Sequence, residues 1–308
     1  MRYTVAGIGG ANVDVHGKSA QPIVLRDSNP GALHLSVGGV CRNVCDNLCR
    51  LGESVTFLGA VGEDAFGAML LGSFRALGMD TAHLAVLPGK RTSSYVSLLD
   101  SEGDMLAAMS DMSIVKELDA SFVAARMPAF AQARACVADA NLSFEALSYL
   151  ASHCPVPIMF DPVSTAWAKA AAPLAGAFHT LKPNLLELEA LTGLRVTGDA
   201  SLKAACGALL KSGAKQIYVS LGKDGVWYQN SGGLSLYKKS RPFPVRNATG
   251  AGDATMAGIV YAWLHGLSPD DSLNFALGAA LAALGSENTI NSEMSKALVL
   301  RMIKEYIA

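Results

Sequence analysis

The sequence predicts an α/β fold, with short buried strands, mainly parallel, alternating with helices. Compact apolar runs end in a polar residue or glycine at Ala135 to Asp139, Ile158 to Asp161 and Gln216 to Gly222, and Thr180-Leu181 leads to Lys182-Pro183-Asn184. Helical patterns fall between them, at Phe144 to Ala151, Leu185 to Leu191 and Leu202 to Lys211. In an open α/β sheet, ligands bind off the carboxyl ends of the strands. Asp14, Asp139, Asp161, Asn184 and Gly222 are all expected there.

The first strand is Tyr3 to Ile8, with Asn12 and Asp14 expected at its end. An ionised carboxylate there can accept two sugar hydroxyls, although Asn and Asp are also ordinary turn formers. Gly7-Ile8-Gly9 resembles the start of a dinucleotide fingerprint, but Asn12 occupies the third glycine position and no helix opens directly after it. Gly38-Gly39 leads into a helix carrying Asn43 and stopping at Gly52. Ser54 to Val61 reads as one strand, 62–67 as a turn and Ala68 to Leu77 as a helix. Two hairpin-like patches, about 15–37 and 91–111, interrupt this rhythm and are expected to pair as a small sheet over a pocket.

Composition narrows the function. The 308 residues are 51% hydrophobic and 17% charged, which suits one large globular domain. Lys+Arg total 25 against Asp+Glu 26, with no basic tail, so nucleic acid is not an expected partner. Ile259 to Leu264 and Phe275 to Leu284 are too short to span a bilayer. Met1 to Gly7 lacks the apolar region of a signal peptide, and the expectation is a soluble, cytoplasmic protein without membrane partners. Cys41, Cys45 and Cys49 recur at helical spacing without zinc-site partners, so buried free thiols are expected of the six cysteines.

The most chemically loaded stretch is Thr249-Gly250-Ala251-Gly252-Asp253, which opens an apolar helical run. Free N–H groups at a helix start hold an oxyanion or phosphate. Asp253 beside them can take the proton of an attacking hydroxyl. A plain glycine turn with Asp at a helix terminus has the same letters. Asn184 and Glu187, three apart at a helix start, can serve a hydrated Mg²⁺ or form a capping box. Ser220-Leu221-Gly222-Lys223-Asp224-Gly225 can offer backbone donors to phosphates or merely turn the chain. No Walker-type phosphate loop is present.

Five motifs then stand in a familiar order: Asn12-x-Asp14, Gly38-Gly39-x-x-x-Asn43, Asn184-x-x-Glu187, Ser220-Leu221-Gly222-x-x-Gly225 and Thr249 to Asp253. Over nearly its whole length the chain resembles the ribokinase-like family of carbohydrate and nucleoside kinases. The resemblance implies a three-layer α/β/α core with a mainly parallel sheet and a small β-sheet lid. It implies that Asn12, Asp14, Gly38, Gly39 and Asn43 hold the sugar, and that Asp253 is the base. The N–H groups of Gly250, Ala251 and Gly252 would form the anion hole. Asn184 and Glu187 would organise Mg²⁺ and phosphate, and Ser220, Gly222 and Gly225 would line the ATP site. A homodimer through the lid edges is expected on the same ground.

Within the family, Asp27 to Gly31, Gly38 to Asn43, Thr92 to Tyr95, Asp111-Met112 and Asp161 to Ser164 look like the subgroup that phosphorylates pseudouridine. Ribokinases usually carry Lys and Ala where Val40 and Arg42 stand. Ser93, Asp111 and Asn141 are the candidates for reading the uracil edge. Another acceptor, such as ribose or adenosine, remains open, as does a non-catalytic sugar or nucleoside sensor. Many relatives have Asp where Asn247 stands and bind a monovalent cation nearby. With that charge removed, weak potassium dependence is expected.

Overall fold

The computed structural model describes residues 3–307; Met1 and Arg2, read above with the amino-terminal stretch, and Ala308 lie outside them. In chain order the strands are β1 (Val5–Ile8), β2 (Asn12–Ser19), β3 (Gly31–Gly38), β4 (Val55–Leu58), β5 (Ala60–Gly62), β6 (Ala85–Leu87) and β7 (Ser93–Leu99). There follow β8 (Met105–Asp111), β9 (Ala135–Asp139), β10 (Ile158–Asp161), β11 (Thr180–Leu181), β12 (Gln216–Ser220), β13 (Val226–Asn230) and β14 (Ser235–Lys238). The helices are α1 (Val40–Arg50), α2 (Ala65–Ala76), α3 (Ala120–Ala125), α4 (Met127–Phe130), α5 (Phe144–His153) and α6 (Thr165–Ala171). The remainder are α7 (Leu185–Thr192), α8 (Asp199–Ser212), α9 (Ala251–Leu264), α10 (Pro269–Leu284) and α11 (Lys296–Tyr306).

The main sheet has eight strands in the order β14-β13-β12-β11-β10-β9-β1-β4. It is parallel from β4 through β12 and antiparallel beyond. Successive strand residues face opposite sides, so a strand covered on both faces reads as one apolar run. Along β9, Cys136 and Ala138 pack with Leu147, Leu188 and Leu202 of α5, α7 and α8. Ala135 and Val137 pack with Val44, Ala257 and Ala279 of α1, α9 and α10 on the other side. This is the expected three-layer core. β1 lies between β4 and β9, so the chain leaves it on both sides and opens a crevice at their carboxyl ends.

Close helix packing aims the most important helix. A Cβ on Gly258 of α9 would lie 2.8 Å from Ala276 Cα and 3.1 Å from Phe275 O. Glycine therefore lets α10 rest directly on the α9 backbone. Under β1, a Cβ on Gly7 would lie 2.2 Å from Cys45 Sγ, and all six cysteines are free thiols.

The second sheet has four strands in the order β3-β2-β7-β8, formed by the two patches that break the α/β rhythm. It corrects one expectation. Asn12 and Asp14 do not close the first strand: β1 stops at Ile8, and both residues lie within β2. Asn and Asp are poor strand formers, but pairing of Asn12 with Gly38 and Ser93, and of Asp14 with Ser36 and Tyr95, overrides that preference. The stretch 54–61 also divides, because β5 leaves the main sheet to pair with β6. Helix α2 begins at Ala65, earlier than expected, where the Asp64 side chain accepts from Gly67 N.

Candidate active site

Helix α9 supplies the centre. Gly250 precedes it with φ 83°, and a Cβ there would stand 2.0 Å from Thr289 O. Only glycine fits both the angle and the contact. The first-turn N–H groups of α9 have no intrahelical acceptor and point towards any anion placed before them. Asp253 sits in that turn, and Asn43 Nδ2 of α1 donates to its Oδ2 at 2.9 Å. Burial, and then the charge of Asp161, push the Asp253 carboxyl up to about 7, against the lowering effect of Asn43 and Lys182. That is a useful value for a base working near neutrality.

A buried ion pair lies behind it. Lys182 Nζ is 3.1 Å from Asp161 Oδ2, and both side chains are almost wholly enclosed. Asp161 Oδ1 accepts from Val163 N at 2.9 Å, which fixes the carboxylate at the end of β10. Burial opposes the charge on Lys182, but Asp161 and Glu187 outweigh it and raise its pKa. A Cβ on Gly252 would be 3.6 Å from Lys182 Nζ, so the ammonium stands beside the free end of α9.

The structure brings most of the expected sugar-side residues together. Asn12 Nδ2 donates to Asp14 Oδ1 at 2.6 Å, and burial raises the Asp14 pKa despite that bond. A Cβ on Gly38 would fall 2.3 Å from Asp14 Oδ2; one on Gly39, whose φ is 106°, would fall 2.4 Å from Gly10 O. Both glycines thus let β3 and α1 close against β2. Asp139 ties the crevice: its Oδ2 accepts from Cys41 N of α1 at 2.9 Å, and its Oδ1 from Asn141 N at 3.0 Å. Asn141 lies beside Gly10. Ser93 shares a sheet face with Asn12 and Asp14; it is 1% exposed, and its Oγ has no partner among the described residues.

Asp111 is the exception. It pairs with Ser94, so it points to the face opposite Asp14, and its Oδ2 lies 3.2 Å from the Arg91 guanidinium. The period of two along β7 separates Asp111 from Ser93.

On the other side of Asp253 opens a cavity of about 990 Å³, lined by Asn184, Glu187, Ser220, Gly222 and Gly225 among others. That is at the upper end for a small-molecule site and large enough for a nucleotide. Asn184 Oδ1 accepts from Glu187 N, and Glu187 Oε2 accepts from Asn184 N, both at 2.9 Å. The capping box is therefore formed, and it holds the Glu187 carboxylate against the cavity with Oε1 outside the cap. Gly225, with φ 94°, passes so close to Lys238 O that a Cβ would lie 2.0 Å from it.

Sequence reasoning missed Lys182, although its place before Pro183-Asn184 at the end of a buried strand was a usable signal. Asp161 lies at the strand end where it is expected, and only the fold supplies its partner, Lys182. Asn247, singled out for the charge it lacks, ties two loops: its Oδ1 accepts from Thr249 N at 2.9 Å, and its Nδ2 donates to Glu287 O at 3.0 Å.

The chain matches the pfkB family of carbohydrate kinases over residues 4–297. It is 37% identical to pseudouridine kinase of Escherichia coli, an alignment covering 96% of this chain and 95% of that protein. Among solved structures, a carbohydrate kinase from Agrobacterium tumefaciens superposes with TM-score 0.86 at 26% identity, covering 98% and 97% of the two chains. Arabidopsis thaliana ribokinase, solved with ribose and ATP, superposes with TM-score 0.84 at 21% identity and covers 99% of each chain.

Proposed function

The chain belongs to the pfkB family of carbohydrate kinases, and from that premise we propose that it transfers the terminal phosphoryl group of ATP to the 5′-hydroxyl of pseudouridine. One observation carries the chemistry: Asp253, raised to about 7, is held by Asn43 on the acceptor side and opens the anion-binding end of α9 on the other. The acceptor rests on the 37% identity with the Escherichia coli enzyme over nearly the full length.

In this reading Asp14, Asn12 and Asn43 bind the ribose, with Gly38 and Gly39 giving the ring room. Asp253 takes the 5′-hydroxyl proton as that oxygen bonds to the γ-phosphorus. The bond from phosphorus to the β-γ bridging oxygen breaks, and ADP leaves with the electron pair. The N–H groups of Gly250, Ala251 and Gly252, with Lys182, oppose the charge on the transferring group. Asn184, Ser220, Gly222 and Gly225 hold the nucleotide. Ser93 and Asn141 remain candidates for the uracil edge. Glu187 suits a hydrated Mg²⁺, being a buried carboxylate with an oxygen outside its cap, and that ion would neutralise phosphate charge.

The lid suggests the assembly. Leu33, Leu98 and Met109 share its outward face and are 73%, 49% and 76% exposed. We assign that face to a homodimer, so L98K with M109K yields monomers on gel filtration. Free thiols suit a reducing cytoplasm. No helix among the described residues is long and apolar enough to cross a membrane.

ADP release is to be measured with Mg-ATP and pseudouridine, uridine, ribose, adenosine or fructose in turn. A strong preference for pseudouridine is expected. Preference for another acceptor overturns the acceptor assignment and leaves the kinase chemistry; no turnover with any of them overturns the reading.

A further inference from the structure

One charged side chain near the centre takes no part in this chemistry. Arg42 lies in the first turn of α1 and is 1% exposed. A cation at a helix N-terminus opposes the helix dipole, and a buried guanidinium loses its water. Its Nε has no hydrogen-bond partner among the described residues. Asp46 balances the charge, but a buried ion pair roughly offsets its own desolvation and so does not by itself account for a cation here.

Its remaining bonds lead to the reacting atoms. Arg42 NH2 donates to Asp46 Oδ2 at 2.6 Å, and NH1 donates to Asn43 Oδ1 at 3.1 Å. Arg50 Nε holds the other oxygen of Asp46 at 2.6 Å, while Arg50 NH1 reaches Ser292 O at 2.7 Å. Neighbours in a helix do not normally face one another, so the contact between residues 42 and 43 depends on the long arginine arm being anchored by Asp46.

We infer that Arg42 is a positioning residue that sets the orientation of the Asn43 amide and, through it, of the Asp253 carboxylate. A guanidinium has donors only, so it selects the Asn43 oxygen and turns the amide nitrogen towards Asp253. Without it, the amide is free to flip and present its oxygen to the carboxylate, where two acceptors repel. The other charged groups facing Asp253 are Asp139 at the end of β9, Asp161 at the end of β10 and Lys182 after β11. Each of these acts on Asp253 through its charge, whereas Asn43 holds it by a hydrogen bond. This inference rests on the reading of Asp253 as the base.

The test compares Arg42→Met, Arg42→Lys, Asn43→Ala and the double variant Arg42→Met/Asn43→Ala in steady-state kinetics across pH. Arg42→Met is expected to lower kcat/KM by about 10- to 100-fold through misplacement of the reacting groups. Loss of the Asn43 bond also raises the Asp253 pKa, so the acid limb should move to higher pH by about half a unit or more. Asn43→Ala should move it alike, and the double variant no further than Asn43→Ala. Arg42→Lys should recover part of the loss.

An acid limb unmoved in Arg42→Met, or effects that add in the double variant, overturns the inference. Should Arg42→Met not fold by circular dichroism, Asp46→Asn, which frees the anchor, must show the same upward shift; no shift overturns the inference equally. Asp253→Asn separates the two readings. Turnover retained there overturns the base and Arg42's role with it, whereas a dead Asp253→Asn beside an unmoved Arg42 profile overturns only the latter.

Discussion

The two sheets solve opposite problems. The eight-stranded sheet is covered on both faces, and its strand ends carry Asp139, Asp161 and Lys182 in fixed positions. The four-stranded sheet has one polar face with Asn12, Asp14 and Ser93, and an opposite face ending in exposed Leu33 and Met109. A packed interior is costly to deform, which suits the groups proposed to meet the transferring phosphoryl. A half-solvated sheet can tolerate different side chains and can move, which suits acceptor choice. On the proposed reading the lid sheet carries acceptor choice, while the ends of the large sheet and the start of α9 carry the reaction, so the two should be separable by mutation.

The largest break is expected at the rigid centre. Asp253→Asn should lower kcat by about 10²- to 10⁴-fold while nucleoside binding persists in calorimetry. In the wild type, kcat/KM should rise with pH through about 7, as Asp253 ionises. The same substitution should stabilise the fold. A carboxyl raised to about 7 binds its proton more tightly folded than unfolded, so rising pH from about 4 to 7 penalises the native state. Asn removes that penalty, and the gain in melting temperature should be full above pH 7 and shrink as pH falls towards 4.

Lys182→Met should follow, with a loss in kcat of about 10²- to 10³-fold. It strands Asp161 as an unpaired buried charge and should destabilise the fold by about 3–5 kcal/mol. Pairing it with Asp161→Asn should restore melting temperature without restoring rate. Recovery of both would make the ion pair structural and erase the contrast between the sheets.

On the lid, Asp14→Asn should act on binding. The KM for the nucleoside should rise by about 10-fold or more, with a smaller effect on kcat, because a charged acceptor for sugar hydroxyls becomes neutral. A fall in kcat with KM unchanged would place Asp14 in the reaction instead. The smallest effect concerns potassium. Asn247 brings no charge and already bridges Thr249 N and Glu287 O, so replacing potassium with tetramethylammonium should change the rate only weakly. A requirement for potassium at millimolar levels would reverse that assignment.

Much of this arrangement is legible in the amino-acid sequence. The strand ends at Asp139 and Asp161 are visible because a strand buried on both faces writes itself as an apolar run closed by a polar residue. Gly250 and Gly39 stand out in their motifs because their positive φ angles and tight contacts admit no side chain. The two lid patches are visible as breaks in the α/β rhythm. The strand β2 is not, since Asn12 and Asp14 have turn propensity and only pairing with β3 and β7 makes them a strand.

The sequence by itself therefore determined the α/β class, the glycine positions and the groups available for chemistry, all matters of local propensity and periodicity. Tertiary structure alone decided which groups meet. It put Asn43 against Asp253, 210 residues apart, and Lys182 beside Gly252. It turned Asp111 away from Asp14, and it buried Arg42 behind the Asn43 amide. The physical reason is common to all four. Packing and strand pairing are non-local, so chain position tells little about which side chains share a face, a wall or a hydrogen bond.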